Sequence, residues 1–282
     1  MKKHRFAALL AAAVLCVSVL TACSQNSGQT SSPNSSDPAQ TGAPTDLLTQ
    51  IQERGEIVVA MEGTWAPWTY HDEDDQLVGY DVEVAQNIAR RLGVEARFAE
   101  GEWDGLLAGL DSGRYDIMVN GVDIDEARSE KYDFSTPYAY NRTAVIVSGD
   151  NDSIQSMEDL NGKSTANTLN STYANVAESY GAEVTGVDDF IQTIELLNSG
   201  RIDATLNAEV SYYDYMAQHP DANVKIACID PQSTQVAIPM RKGEESAALV
   251  AAINDALAEM AGDGTLTELS MKYFGTDISK DQ

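Results

Sequence analysis

Two seven-residue segments of this chain repeat one another, and this repeat constrains the fold more than any other feature of the sequence. Leu110–Asp116 reads LDSGRYD, and Leu197–Asp203 reads LNSGRID. Each copy predicts the end of a helix, a glycine that stops it, and the start of a strand. Each strand leads to an asparagine four residues later, at Asn120 and Asn207. An alternative stays open, because Ser-Gly-Arg is common at helix ends and can recur by chance.

Helix and strand patterns alternate along the rest of the chain. Residues 56–61 predict a short apolar strand, and residues 82–92 predict a helix that Asp81 caps and Gly93 ends. Further units are a helix over 106–111 with a strand over 116–120, a helix over 172–180 before a strand near Val184, and a helix over 190–198 with a strand over 204–206. This alternation predicts the α/β class with mostly parallel sheets.

The two repeated units also predict where a ligand binds. Open α/β sheets bind ligands beyond the carboxyl ends of their strands. Asn120 and Asn207 would both lie at such ends, in two related lobes. The predicted binding site is therefore a cleft between the lobes.

The first 22 residues have the layout of a secretory signal. An apolar run over residues 6–20 follows three basic side chains, those of Lys2, Lys3 and Arg5. The run is too short to span a bilayer comfortably. The sequence thus predicts export from the cytoplasm, with a signal peptide over residues 1–22.

Cys23 is predicted to carry a lipid anchor. It ends the segment LTAC, which resembles the bacterial lipobox, in which the cysteine receives a diacylglyceryl group and becomes the mature N-terminus. The alternative is an ordinary signal peptide whose cleavage site lies near a cysteine. The following residues, up to 46, are rich in Ser, Gly, Pro, Gln and Asn, so residues 23–46 are predicted to be a lipidated, flexible linker.

The composition of the chain excludes several kinds of partner. The formal net charge is −26, which argues against nucleic acid and anionic lipid surfaces. Residues 47–282 could form one large domain or two small ones by length alone.

Cys228 is the one cysteine that remains beyond Cys23, so no internal disulfide is expected, and its apolar neighbours predict a buried thiol. The sequence has no phosphate loop or metal-ligand spacing, and no cofactor is expected.

Several motifs, taken in order, resemble the bacterial extracellular solute-binding proteins of family 3, the polar amino-acid receptors of ABC importers. These are EGTWAPW at 62–68, GYDVEVA at 79–85, Trp103 with Leu106, Leu107 and Leu110, Arg128 followed by YDFSTPY at 132–138, DGTL at 263–266 and KYFG at 272–275. The resemblance runs over nearly the whole chain beyond the linker.

This resemblance implies the periplasmic-binding-protein type II fold, with two α/β lobes joined by two hinge strands. Lobe 1 would comprise residues 47–145 together with 237–282, and lobe 2 residues 146–236. The family also implies a monomeric receptor, not an enzyme, that works outside the cytoplasm and passes its ligand to an ABC transporter permease. Its contact with the membrane would be through the lipid anchor only.

The family implies roles for several side chains. Arg128 matches the arginine that grips the α-carboxylate of the ligand, for which a planar fork of donors is well suited. Trp65 and Trp103 match the aromatic residues that sandwich the ligand side chain. Other residues predicted to contact the ligand are Asn120, Gly121, Asn207, Thr168, and Ser171 with Thr172 at the start of a helix, where N–H groups bind anions.

Two departures from the family pattern concern the amino-acid head group. Position 123 is commonly Thr or Ser in the family, whereas this chain has Asp123, which either turns away or faces a cationic group. The family aspartate that binds the α-ammonium aligns with Ala208. The alternatives are that Glu209 replaces it, or that Asn207 and backbone carbonyls hold the ammonium.

Glu62 matches a position where family members that bind cationic amino acids place an acid. With Asp123 and Glu209 as further acids, the resemblance favours cystine as the ligand, then lysine, arginine or ornithine, then glutamine. Two rival functions remain: a dehydratase-type enzyme on the same fold, and an amino-acid sensor without transport.

Overall fold

The computed structural model describes residues 46–281. The predicted signal peptide, Cys23 and nearly all of the linker lie outside the described residues. Between residues 46 and 281, no helix is long and apolar enough to cross a membrane. The same residues contain no group of three or more His, Cys, Asp and Glu side chains that could hold a metal ion.

Most α-helices of the described region bury apolar residues on one face. They are α1 (Leu47–Arg54), α2 (Tyr80–Leu92), α3 (Trp103–Asp111), α4 (Glu126–Lys131), α5 (Thr172–Ser179), α6 (Phe190–Asn198), α7 (Glu209–Gln218), α8 (Ala247–Gly262) and α9 (Thr265–Phe274). Short 3-10 helices cover Met157–Leu160 and Glu244–Ser246.

The strands form separate sheets along the chain. They are β1 (Glu56–Met61), β2 (Thr64–Trp65), β3 (Thr69–His71), β4 (Leu77–Val78), β5 (Glu95–Glu100), β6 (Ile117–Met118), β7 (Tyr132–Phe134), β8 (Ala139–Ser148), β9 (Ser164–Asn167), β10 (Glu183–Gly186), β11 (Ala204–Ala208), β12 (Val224–Val236) and β13 (Pro239–Arg241). The strand predicted over 116–120 is shorter than expected, because only Ile117 and Met118 pair with β1.

The first lobe is built on a parallel sheet with the strand order β5-β1-β6. The central strand β1 is buried from Ile57 to Met61, as its continuous apolar run predicts for a strand covered on both faces. The C-terminal helices α8 and α9 return to this lobe and pack against α2. Antiparallel pairs β13-β7 and β2-β3-β4 complete the elements beside it.

The second lobe is built on a five-stranded sheet with the order β10-β9-β11-β8-β12. Strands β10, β9 and β11 are parallel, whereas β8 runs antiparallel to both β11 and β12. The long pair β8 and β12 extends to the first lobe, where Tyr138 N donates to Val236 O at 3.0 Å and Ala237 N donates to Val122 O at 2.9 Å. These strands are the two hinge connections expected between two α/β lobes.

The boundaries predicted for the lobes remain a prediction. The change predicted after residue 145 falls inside the continuous strand β8, and the change predicted after residue 236 falls at the end of β12. Both predicted boundaries therefore lie on the paired strands β8 and β12, which run from one lobe to the other.

The sequence repeat corresponds to a repeated local structure. Gly113 and Gly200 have φ values of 74° and 67°, a left-handed conformation that suits glycine at the end of a helix. Beyond each glycine an aspartate binds the start of the neighbouring strand: Asp116 Oδ2 accepts from Val58 N at 2.7 Å, and Asp203 Oδ2 accepts from Ser164 N at 2.9 Å. The helix–glycine–strand interpretation of the repeat is confirmed.

The prediction that Asp81 caps α2 is wrong. The helix begins at Tyr80 after Gly79, and Asp81 lies fully buried in its first turn. Its carboxylate accepts hydrogen bonds from Gly121 N at 2.6 Å and from Tyr138 Oη at 2.7 Å. The side chain therefore binds distant parts of the lobe and not the N–H groups of its own helix. The predicted end of the helix at Gly93 is confirmed, with φ at 75°.

Cys228 lies on β12 and is partly buried, with its sulfur 4.0 Å from the sulfur of Met157. Burial raises the pKa of its thiol to about 11. The thiol is therefore protonated at neutral pH, as expected for a structural cysteine. The prediction of burial is met only in part.

Candidate functional site

A cavity of about 50 Å³ lies between the two lobes, beside the carboxyl ends of several strands. From the first lobe it is lined by Glu62, Thr64, Trp65, Trp103, Gly121 and Asp123. From the second lobe it is lined by Asn167, Thr168, Ser171, Thr172, Tyr173, Asp189, Phe190, Thr193 and Asn207. This is the place where open α/β sheets present a ligand site.

The structure brings most of the predicted site residues to this cavity. They are Glu62, Trp65, Trp103, Gly121, Asp123, Thr168, Ser171, Thr172 and Asn207. The predicted residues that do not line it are Asn120, Arg128 and Glu209. Different contacts hold each of these three side chains outside the lining.

Asn120 lies behind the cavity wall and holds Glu62. Its Nδ2 donates to Glu62 Oε2 at 2.7 Å, and its Oδ1 accepts from the backbone N of Glu62 at 2.8 Å. Desolvation raises the pKa of the Glu62 carboxyl to about 7; the hydrogen bond from Asn120 opposes this shift, and the charge of Asp189 adds to it. Asn120 thus fixes the orientation of an acid whose charge changes near neutral pH.

Two tryptophans form aromatic walls. Trp65 stacks on Trp68 with ring centroids 5.3 Å apart and meets the edge of Tyr173 at 6.4 Å. A Cβ at Gly121 would lie 2.6 Å from the ring of Trp65, and Gly121 also has φ at 55°, so only glycine fits there. Trp103 forms a separate part of the lining and lies under the guanidinium of Arg128, at 5.2 Å from ring to carbon.

Arg128 is buried beside the cavity and binds both lobes. Its Nη1 donates to Asp123 O at 2.9 Å and to Thr172 Oγ1 at 3.0 Å, and its Nη2 donates to Asn170 O at 3.1 Å. Its Nε lies 3.3 Å from a carboxylate oxygen of Asp125. A ligand carboxylate that pairs with both Nη atoms of Arg128 would compete with the contacts that these atoms make with the second lobe.

Asp123 lines the cavity and is hydrogen-bonded to a hydroxyl group. Its Oδ1 accepts from Thr234 Oγ1 at 2.5 Å. Burial raises the pKa of its carboxyl, and hydrogen bonds from Thr234 and Thr172 and the charge of Arg128 oppose the rise. The hydrogen bond that Asp123 Oδ1 accepts is from a hydroxyl group, and the choice between the two alternatives for this residue stays a prediction.

Helix α5 begins at the cavity. Ser171 is its N-cap, with Oγ accepting from Ala174 N at 3.1 Å, as predicted from the sequence. The preceding Asn170 is left-handed, with φ at 59°, and its Nδ2 donates to Asp104 Oδ1 of the first lobe at 2.9 Å. The helix start is therefore held against the first lobe by two residues of one turn, Asn170 and Thr172.

The structure does not bring Glu209 to the cavity, which corrects the expectation that it replaces the family aspartate. Glu209 is the first residue of α7 and pairs with Arg142 Nη2 at 2.6 Å. Both residues line a different cavity, together with Tyr140 and Tyr213. The ion pair with Arg142 holds the Glu209 side chain away from the cavity between the lobes. No sequence pattern indicated Arg142 as its partner.

Sequence reasoning missed six residues of the lining, which are Thr64, Asn167, Tyr173, Asp189, Phe190 and Thr193. For Asp189, the sequence did contain a pattern that indicates a position at the ligand site. The helix predicted to begin at residue 190 places Asp189 at its N-cap, and the preceding strand near Val184 places that cap at the carboxyl end of a strand. Asp189 Oδ1 accepts from Gln192 N at 2.8 Å.

Three comparisons relate this chain to known proteins. The family model for bacterial extracellular solute-binding proteins, family 3, matches residues 57–276. The L-cystine-binding protein TcyA of Bacillus subtilis (strain 168) is 40% identical over 270 residues, which cover 95% of this chain and 96% of the relative. An ancestral arginine-binding protein bound to arginine has 38% identity and a TM-score of 0.73, covering 79% of this chain and 99% of that one.

A third relative has a similar sequence identity but a lower structural similarity. The L-cystine solute receptor of Neisseria gonorrhoeae, in its unliganded open conformation, has 37% identity but a TM-score of 0.57, covering 83% of this chain and 99% of that one. The present structure is thus more similar overall to the arginine-bound neighbour, in agreement with its hydrogen bonds between lobes. The fold is the type II fold of periplasmic binding proteins, and the chain belongs to the bacterial extracellular solute-binding proteins, family 3.

Proposed function

We propose that this protein captures a free polar amino acid between its lobes, outside the cytoplasm, and delivers it to the permease of an ABC importer. The observation that carries the proposal is the distribution of charge along the cavity between the lobes. The start of α5 lines the cavity, and Arg128 lies behind it, bound to Thr172, whereas Glu62 and Asp189 supply carboxylates to the lining. A zwitterion with a cationic side-chain group matches this distribution.

The end beside Arg128 suits the α-carboxylate. A helix start presents N–H groups that have no partner within the helix, and Ser171 and Thr172 line the cavity at the start of α5. A carboxylate in place of Thr172 would accept from the same Nη1 atom that donates to Thr172 Oγ1 in this structure. The ligand would then join the lobes through the same groups that join them in this structure.

The aromatic walls and the acids suit the rest of the ligand. Trp65, Trp103 and Phe190 offer ring surfaces to an aliphatic stem or a disulfide. The carboxyl of Glu62 is held by Asn120 and can pair with an ammonium or guanidinium group. Cystine is the first candidate, since the relative with 40% identity is named for L-cystine. Lysine, arginine or ornithine follow, and then glutamine.

The proposal includes the place where the protein works. A signal peptide over residues 1–22 would direct export, and a lipid on Cys23 would anchor a monomeric receptor to the membrane. The family description as extracellular solute-binding proteins supports the extracytoplasmic location.

Native mass spectrometry of the purified protein, followed by calorimetric titration with cystine, arginine, lysine, ornithine and glutamine, tests the proposal. We expect one co-purified amino acid, or micromolar or tighter binding of at least one of the five. A protein that binds none of them contradicts the proposal. Turnover of prephenate-like substrates would favour the dehydratase-type enzyme, and binding without any uptake defect after gene deletion would favour a sensor.

A further inference from the structure

The α-ammonium of the ligand needs an acceptor in this chain, because the position of the family aspartate is Ala208. Two side chains that the sequence suggested as acceptors, Glu209 and Asn207, have contacts that exclude this role. Glu209 pairs with Arg142 away from the cavity. Asn207 Oδ1 already accepts two hydrogen bonds, from Trp65 Nε1 at 3.2 Å and from Ala208 N at 2.8 Å. A carbonyl oxygen has two lone pairs, so Asn207 Oδ1 is saturated.

Asn167 has the acceptor that the other residues lack. It is the last residue of β9, lines the cavity and is only 2% exposed. Its Nδ2 donates to Leu206 O at 2.7 Å. Because that carbonyl can only accept, the nitrogen of the amide has to face it, and the oxygen has to face the other way. Asn167 Oδ1 has no hydrogen-bond partner among the described residues.

A buried carbonyl without a donor is costly, and native structures rarely leave one without a reason. The location of Asn167 supplies the reason. It stands three residues before Asn170, whose carbonyl binds Arg128, and on the strand next to β11, which carries Asn207. The carboxylate and the ammonium of an amino acid are separated by a single carbon. An acceptor for the ammonium is therefore expected near the groups that hold the carboxylate.

We propose that Asn167 Oδ1 accepts a hydrogen bond from the α-ammonium of the bound amino acid. This moves the ammonium contact from the end of β11, where the family carries an aspartate, to the end of the neighbouring strand β9. The inference rests on the proposed amino-acid binding. Asn167 is neutral, so its Oδ1 can accept from the ammonium group of a ligand without adding a negative charge to the cavity. The lining already contains three acidic residues, Glu62, Asp123 and Asp189.

Matched ligands that differ only in amino groups test the inference. The probes are L-cystine with 3,3′-dithiodipropionate, and L-arginine with 5-guanidinopentanoate, titrated into the purified full chain by calorimetry. For each pair, the ratio of the two affinities measures how much the ammonium contributes. In Asn167→Leu this ratio should fall about tenfold or more relative to the parent, with the affinity of the analogue nearly unchanged.

Asn141→Leu is the matched control. Asn141 is also a buried asparagine, 5% exposed, whose Nδ2 donates to Tyr173 Oη at 3.0 Å and whose Oδ1 has no partner among the described residues. It does not line the cavity between the lobes. Its substitution should lower folding stability comparably and leave the ratio within about twofold of the parent.

A crystal structure of the parent with L-cystine or L-arginine keeps the inference testable if Asn167→Leu does not fold. The α-nitrogen should lie within about 3.2 Å of Asn167 Oδ1. An equal loss of affinity for both members of a pair, or an α-nitrogen bound elsewhere, would overturn the inference while leaving amino-acid binding intact. Failure of the parent to bind any of the five amino acids would instead count against the proposed function, and the inference would fall with it.

Discussion

The indole nitrogen of Trp65 donates a hydrogen bond of 3.2 Å to Asn207 Oδ1, which lies 142 positions later in the chain and in the other lobe. The bond crosses the cavity wall and fixes the face that Trp65 presents to a ligand. It also occupies the acceptor that the sequence suggested for the ammonium. The same hydrogen bond therefore joins the two lobes and removes Asn207 Oδ1 as an acceptor for the ligand.

Trp65→Phe should weaken ligand binding by about three- to tenfold, mainly through faster dissociation. The variant keeps an aromatic wall but removes the donor that joins the lobes. Stopped-flow fluorescence or surface plasmon resonance would measure the dissociation rate. Trp68→Phe is the control, because Trp68 Nε1 has no hydrogen-bond partner among the described residues. Equal dissociation rates for the two variants would contradict a role for the bond between Trp65 and Asn207.

Arg128→Ala should reduce the affinity for every amino acid tested by about a hundredfold or more, since a buried carboxylate would lose its charged partner. Calorimetry would measure the loss. The control is Arg142→Ala, which removes an arginine whose ion pair with Glu209 lies outside the cavity between the lobes. Binding by Arg128→Ala within about threefold of the parent would mean that the carboxylate is held elsewhere.

Binding of L-arginine should depend on the charge of Glu62. Its carboxyl has a pKa of about 7, and only the ionised form pairs with a cation. Below that pH a proton has to leave before the pair forms, so the affinity should fall by up to about tenfold per pH unit between about pH 7 and pH 5. Calorimetry of Glu62→Gln should give a nearly flat profile and a changed preference among amino acids. A parent profile that is equally flat would exclude Glu62 from the contact.

Asp81 should make folding stability fall as the pH rises. Burial raises its folded pKa from 3.8 to about 7, so below 3.8 both states hold the proton and the full contribution is present. Between these values the unfolded state releases the proton first, and stability is lost at up to about 1.4 kcal/mol per pH unit. Urea denaturation should show a shallower pH dependence for Asp81→Asn. Glu62 acts in the same direction, so part of the slope should remain, whereas an unchanged slope would contradict the raised pKa of Asp81.

Cys23→Ala should release the protein from the membrane fraction into the medium or the periplasm, because the residue proposed to carry the lipid is gone. Cell fractionation with immunoblotting would measure the change, and circular dichroism should be unaltered. Cys228→Ala should stay in the membrane fraction, since Cys228 lies in the folded region. Membrane association of Cys23→Ala at the parental level would exclude lipidation at Cys23.

Local structure followed the sequence closely. The helix predicted over 190–198 is α6, Phe190–Asn198, and the two glycines of the repeat adopt the same left-handed turn. These features depend on apolar periodicity and on residues within one turn of each other, which a sequence displays directly. The side chains that the family resemblance placed in the cleft came mostly from such local segments.

The contacts between side chains required the tertiary structure. Asp81 binds Gly121 and Tyr138 rather than its own helix, and Glu209 turns to Arg142. The amide of Asn167 is oriented by Leu206, a residue of the neighbouring strand. In each case the partner lies far along the chain, and burial makes its hydrogen bond decisive over the local alternatives. The sequence by itself determined the elements and the position of the cleft, whereas only the folded arrangement decided which polar atoms in its wall are left for a ligand.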